Sequence, residues 1–259
     1  MSELTTARIR AHATRLGLPG VAEDPAALAA RAEQASLGYL DFLDLILGEE
    51  AALRDSRRCR AALHASGLPH HKTLDEFDFT FQPGLDVRKI RDLAAVAFIE
   101  ARANVALLGP PGVGKSHLAC SLAVAACHAG YSVLYATLDD MIRRLRAADA
   151  AGRLHGQLKA CTRPALLVID ELGYLPLDRA DANRAFQLIS QRYEKGSIII
   201  TSNKAFSEWG QVFTGEVLAT AILDRLLHHC EVISINGPSW RLKDRLADLT
   251  KAPQTDLTQ

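Results

Sequence analysis

The stretch NVALLGPPGVGKSHLACSLAVAACHAG, residues 104–130, decides the fold. It opens as an apolar run, turns through Gly109, Gly112 and Gly114, and continues from Lys115 as an alanine-rich helical pattern. A glycine loop between a strand and a helix has a specific physical use. The glycines let the backbone curl until its N–H groups converge, and the helix that follows adds its positive end, so the turn becomes a cradle for phosphate. Lys115 is placed to reach the terminal phosphates, and Ser116 to ligate Mg²⁺. Pro110, Pro111, Val113 and His117 complete the expected nucleotide-binding stretch. A glycine turn that merely caps a helix is the alternative, and the position of the loop after one strand and at the start of one helix argues against it.

A phosphate loop serves kinases, GTPases and ATPases alike, so a second feature has to discriminate. LLVIDE, residues 166–171, is an apolar strand that ends in two acids. Asp170 is expected in the metal shell with Ser116, and Glu171 is expected to polarise a water towards the γ-phosphate. No NKxD follows for guanine recognition, which favours ATP over GTP. The strand SIIITSN, residues 197–203, ends in Ser202 and Asn203. At the carboxyl end of a sheet strand, Asn203 either orients the attacking water or caps the next helix. Further on, Arg225 lies in LATAILDRLLHHC and Arg241 in SWRLKDR. On position alone each arginine is either functional or paired with a local acid, Asp224 or Asp244.

Strands are read at 104–109, 132–137, 165–170, 197–202 and 231–235, with helices between. Fully apolar strands alternating with helices imply an α/β fold with a mostly parallel sheet covered on both faces. Upstream the pattern is different. Leu40, Leu43 and Leu47 recur at helical spacing, and Pro19 and Pro25 punctuate shorter helices, so residues 1–67 read as a small all-helical domain. GLPHHKTLDEFDFTFQPGLD reads as an extended linker covering 68–85, and the remaining 86–259 form the nucleotide-binding domain.

Composition narrows the class. The chain has 259 residues, 48% of them hydrophobic, and equal numbers of acids and bases, so any polyanion site has to be local. The region 1–80 carries nine Lys/Arg against twelve Asp/Glu. Two clusters are candidates for DNA phosphates: Arg143, Arg144 and Arg146 in RRLR, and Arg54, Arg57 and Arg58 on one helical face. For both, a solvated surface face is the competing reading. The five cysteines have no CxxC spacing, which argues against zinc or a disulfide framework. The His pairs at 70–71 and 228–229 lack partners at ligand spacing and read as structural. No membrane span or secretory signal is recognisable, so a cytoplasmic location is expected.

The order GPPGVGKS, LLVIDE, IIITSN, ILDRLLHH and INGPSWRLKD resembles the AAA+ ATPases, and within them the IstB proteins, helper ATPases of insertion-sequence transposition. The upstream segments LGLPGVAE, YLDFLDLILGEEAALRDSRRCRAAL and KTLDEFDFTFQPGLD are similar to the helical domain and linker of the same proteins. The resemblance implies a five-stranded AAA+ P-loop sheet, ATP-dependent homo-oligomers on double-stranded DNA, and a partner transposase encoded alongside. It also implies roles for single residues. Arg225 would be the finger sent to a neighbouring subunit's nucleotide, Arg241 a second sensor within the same subunit, and Asn203 the polar sensor. DnaC-type helicase loaders share the core, so loading a replicative helicase is the alternative function.

Overall fold

The computed structural model describes residues 3–243 and divides the chain into two compact units, 1–61 and 62–259. In the first unit, helices α1 (Glu3–Leu16), α2 (Pro19–Glu23) and α3 (Pro25–Gln34) precede the long α4 (Tyr39–Ala65). Pro19 and Pro25 occupy first-turn positions, where a missing N–H costs nothing, and Asp24 caps α3 by accepting from Ala27 N at 3.0 Å. Ala13, Val21 and Leu28 form the unit's small core with Phe42 and Ile46. Glu50 is buried on α4, and its carboxylate accepts the Val21 N–H at 2.7 Å, which ties α4 to α2. Leu40, Leu43 and Leu47 are helical, as their spacing predicts, yet all three are exposed.

The second unit is built on β1 (Asn104–Leu108), β2 (Val133–Thr137), β3 (Leu166–Leu172), β4 (Ser197–Ser202) and β5 (Cys230–Ser234). The five expected strands are all present, and they pair in the order β2-β3-β4-β1-β5, parallel throughout. Helices α5 (Val87–Ala94), α6 (Ala97–Glu100) and α7 (Lys115–His128) cover one face. Ile90, Leu93, Leu118 and Leu122 pack there against Val105, Leu107, Val168 and Ile199. Helices α8 (Leu138–Ala150), α9 (Leu154–Thr162), α10 (Arg179–Arg192), α11 (Trp209–Val212) and α12 (Glu216–Leu227) lie on the other. Met141, Leu145, Leu188 and Ile222 meet Leu167, Ile169, Ile198 and Ile200 on that side. Side chains of β1, β3 and β4 alternate between two buried faces, which explains their unbroken apolar runs, whereas the edge strand β5 is mostly exposed.

Because every strand is parallel, all carboxyl ends lie at one edge of the sheet, where ligands of α/β proteins bind. The phosphate loop leaves β1 there, Asp170 and Glu171 end β3, and Asn203 follows β4. Opposite this edge, the buried Arg192 donates to the carbonyls of Thr162, Pro164, Ala165 and Ser197 at 2.7–3.1 Å. One guanidinium thereby satisfies main-chain acceptors from two segments, 162–165 and the start of β4.

The linker is less extended than its composition suggests. It contains two 3₁₀ turns, Leu74–Glu76 and Phe79–Phe81. Phe77 and Phe79 join the core of the second unit, so the segment belongs to the nucleotide-binding fold by its packing.

Candidate functional site

Gly109, Gly112 and Gly114 all have positive φ, and Gly112 and Gly114, at 83° and 99°, are in the left-handed region that a side chain disfavours. The loop is also enclosed. A methyl group on Gly112 would lie 2.0 Å from Ser239 Oγ, and one on Gly114 would lie 2.6 Å from a Phe77 ring carbon. Trp240 N donates to Gly112 O at 2.9 Å, and Ile235 N donates to Leu108 O at 2.8 Å. The segment after β5 therefore lies along the phosphate loop, while the linker meets it through Phe77.

A cavity of about 510 Å³ opens over this loop, lined by Gly112 to His117 together with Glu171, Thr201 and Arg241. Phe77, Phe81, His70 and Trp240 supply an aromatic portion of its wall. Lys115 is buried and donates to Gly109 O and Pro110 O at 2.7 and 2.8 Å. Burial holds its pKa below that of a free lysine; Asp170 opposes the shift and Arg241 reinforces it. Burial also lowers the pKa of His117, whose Nε2 lies 3.1 Å from Thr73 O.

Asp170 is 3% exposed and is surrounded by hydroxyl donors. Ser116 Oγ donates to Oδ1 at 3.0 Å, Tyr135 donates to Oδ2 at 2.5 Å, and Thr201 donates to Oδ1 as well. Desolvation first, and the bond to Asp170 second, raise the Tyr135 pKa well above that of a free phenol. The next residue points elsewhere. Glu171 has φ 61°, its N–H donates to Thr201 Oγ1 at 3.0 Å, and it is exposed on the cavity wall. The β3–β4 register slips between Ile169 and Leu172, so an extra residue is accommodated at the two acids. Such a bulge re-aims a side chain. Here it buries one carboxylate against Ser116 and leaves its neighbour open to the cavity.

A hydroxyl and a carboxylate oxygen 3.0 Å apart at the end of a phosphate loop form a hard-oxygen pair suited to Mg²⁺. Asn203 does not cap the helical turn after it, because the cap of Phe206–Glu208 is Ala205. Its Oδ1 is buried without a hydrogen-bond partner among the described residues. Arg241 lines the cavity, whereas Arg225 is not among its lining residues. Arg225 donates to Ala221 O at 3.0 Å and stands 4.8 Å over the Phe186 ring, so Asp224 does not hold it. The other partner considered for an arginine, Asp244, lies outside the described residues.

The sequence is matched by the family model of the IstB-like ATP binding proteins over residues 11–248. The chain belongs to that family. This IstB-like chain is 47% identical over 232 residues to an ATP-binding protein of insertion sequence IS21 from Pseudomonas aeruginosa, covering 90% of this chain and 88% of that one. It is 43% identical over 238 residues to that of IS5376 from Geobacillus stearothermophilus, covering 92% and 95%. Among solved structures, AMPPCP-bound DnaA from Aquifex aeolicus superposes with TM-score 0.56 at 18% identity, over 74% of this chain and 58% of that one. DnaI superposes with TM-score 0.52 at 21% identity, over 65% and 89%. These two likenesses establish the AAA+ P-loop fold.

The basic clusters of the IstB-like chain are less free than their sequence suggests. Arg143 pairs with Asp140, and Arg146 pairs with the buried Asp181, which also holds Arg184 at 2.7 Å. Arg144 is exposed and has no ion pair among the described residues. Arg54 donates to Gly17 O at 3.3 Å, and Arg54, Arg57 and Arg58 are all exposed on α4.

Reading the sequence did not pick out Tyr135, Thr201, Phe77, Ser239 or Trp240. Tyr135 and Thr201 sit in strands read as apolar core, and only the neighbour relations β2-β3-β4 bring their hydroxyls to Asp170. The His pair at 228–229 has no partner at ligand spacing in the sequence; in the fold Glu194, far away in sequence, lies beside both histidines. No described helix is long and apolar enough to cross a membrane.

Proposed function

We propose that this chain is an ATP hydrolase that assembles on double-stranded DNA with ATP and helps a transposase select or prepare its target. The observation that carries the reading is the division of labour between adjacent acids. Asp170 is buried against the Ser116 hydroxyl, and Glu171 is free on the cavity wall. An enzyme that only held nucleotide would need the first and have no use for the second.

In this reading ATP lies in the cavity with its phosphates on the loop from Gly109 to Ser116. Lys115 exchanges its two carbonyl acceptors for phosphate oxygens, and the buried ammonium thereby gains counter-charge beyond that of Asp170. Ser116 and Asp170 would hold Mg²⁺, which would supply positive charge to offset that developing on the transferring phosphate. Glu171 accepts the proton of a water as its oxygen bonds to the γ-phosphorus, and the bond between that phosphorus and the β–γ bridging oxygen breaks to release ADP. The unpartnered Oδ1 of Asn203 is available to hold that water. Arg241 acts within the subunit, and Arg225, outside the cavity of its own chain, acts on a neighbour's nucleotide. Turnover then depends on assembly. Arg144 is the member of RRLR best placed to meet DNA phosphates, with Arg54, Arg57 and Arg58 a second contact surface.

The insertion-sequence names of the similar proteins favour transposition over loading of a replicative helicase. The test is phosphate release by the full chain with ATP and Mg²⁺, with and without duplex DNA, together with sedimentation under the same conditions. DNA-stimulated release accompanied by ATP-dependent growth in mass supports the proposal. ATP binding with no release on DNA contradicts it and leaves a nucleotide-gated adaptor.

A further inference from the structure

At the amino edge of the sheet, away from the phosphate loop, two chain segments converge. One follows α10, where Tyr193 ends the helix and Glu194 takes a left-handed conformation with φ 57°. The other follows α12, where His228 ends the helix and His229 leads into β5. Glu194, His228 and His229 are exposed, and one ligand atom from each lies within 4.8 Å of the others. The His228 and His229 rings are 4.1 Å apart between centroids, and His228 Nδ1 is 3.9 Å from Glu194 Oε1. Among the described residues, no other group of three such side chains approaches this closely.

The main chain on both sides is fixed. Asn104 N donates to His229 O at 2.6 Å, and the Asn104 side chain donates to Leu226 O at 2.9 Å. Arg102 donates to Glu194 O at 2.8 Å. The donors are thus presented from a backbone anchored to the start of β1, and only side-chain rotation separates them from a common centre. Tyr193 OH lies 2.8 Å from His228 Nδ1 and helps orient that ring.

We propose that Glu194, His228 and His229 form a surface site for a divalent transition-metal ion of the zinc class. Two imidazoles and one carboxylate are a donor set that suits zinc, cobalt or nickel, and an open face leaves room for water in the fourth position. Mg²⁺ and Ca²⁺ prefer oxygen donors and fit this set poorly. The site bridges the ends of α10 and α12. Those helices also carry Phe186 and Arg225, so an ion here would fasten together the pair on which Arg225 stands.

The experiment uses the full chain stripped with chelator and kept free of nucleotide. It is titrated with Zn²⁺ by calorimetry and with Co²⁺ by visible absorption. One ion per chain is expected, with a cobalt d–d band and a melting temperature raised by metal. His229→Ala and Glu194→Gln should each weaken binding at least ~10-fold, the loss that removing even a hydrogen-bond partner of a metal ligand can cause. Both replacements are at exposed side chains and leave the main-chain bonds intact, so equal melting temperatures in chelator would show that the variants fold. Absence of stoichiometric binding overturns the proposal. So does a cobalt signal unchanged in the His229→Ala, Glu194→Gln double variant, because the ion would then be held elsewhere.

Discussion

The Thr201 hydroxyl accepts the Glu171 N–H at 3.0 Å while donating its own proton to Asp170. One side chain on β4 thereby fixes both acids at the end of β3. Thr201→Val keeps the shape and removes both bonds, leaving a Glu171 amide without its acceptor. A loss of roughly 1–3 kcal/mol is expected in denaturant unfolding. Phosphate release should fall by ~10² while ATP affinity changes little, because the loop is untouched. Unchanged turnover would mean that Thr201 positions neither acid.

The Lys115 ammonium is held below the free-lysine pKa chiefly by burial. A lysine whose folded pKa is depressed costs the nucleotide-free protein stability while it stays protonated, and that cost is relieved as pH rises through the folded pKa. Phosphates beside it favour the charged form and raise its pKa. ATP binding should therefore take up a proton in the alkaline window between the pKa values of the free and bound states. Calorimetry in buffers of different ionisation enthalpy measures this. Lys115→Ala should bind no ATP under the same conditions. Wild-type affinity in that variant would remove Lys115 from the phosphate site.

Gly112 combines a left-handed backbone with a Cβ position 2.0 Å from Ser239 Oγ. Gly112→Ala should weaken ATP binding by ~10-fold or more, since the loop must change conformation to admit the methyl group. Adding Ser239→Gly relieves the contact but not the φ, so affinity should return only in part. Full recovery would show that backbone strain is unimportant here, and no recovery that the segment at Ser239 does not limit the loop.

Much of this site is legible from the chain. Gly109 to Ser116, Asp170 and Glu171 are local in sequence, and the strand and helix that hold them are marked by short apolar runs. What the sequence conceals is relational. The hydroxyls of Tyr135 and Thr201 reach Asp170 only through strand order, and nothing in the apolar run announces the bulge and left-handed backbone at Glu171. Leu40, Leu43 and Leu47 give the correct helix but not their exposure, because periodicity reports a face and not what covers it. The arginines of RRLR read as a free cluster until the fold brings Asp181 beneath Arg146.

Arg225 stands on Phe186 and outside its own cavity, the arrangement expected of a residue that serves another subunit. Arg225→Ala should bind ATP normally but lose ~10³ or more of DNA-stimulated turnover, the scale of an arginine finger. Mixing it with Lys115→Ala protein should restore some activity, because some interfaces then pair an intact loop with an intact arginine. No recovery at any ratio, with both variants folded, would contradict a role in trans.

In the proposed cycle ATP binding drives assembly on DNA and hydrolysis drives release. Glu171→Gln tests this directly, since it keeps the shape and the buried Ser116–Asp170 pair while removing the basicity of the exposed acid. The measurement is the lifetime of complexes on duplex DNA with ATP and Mg²⁺, alongside phosphate release. Complexes larger and longer-lived than those of wild type, with little phosphate released, are the predicted result. Normal phosphate release would remove Glu171 from the chemistry, and lost release with short-lived complexes would contradict the cycle.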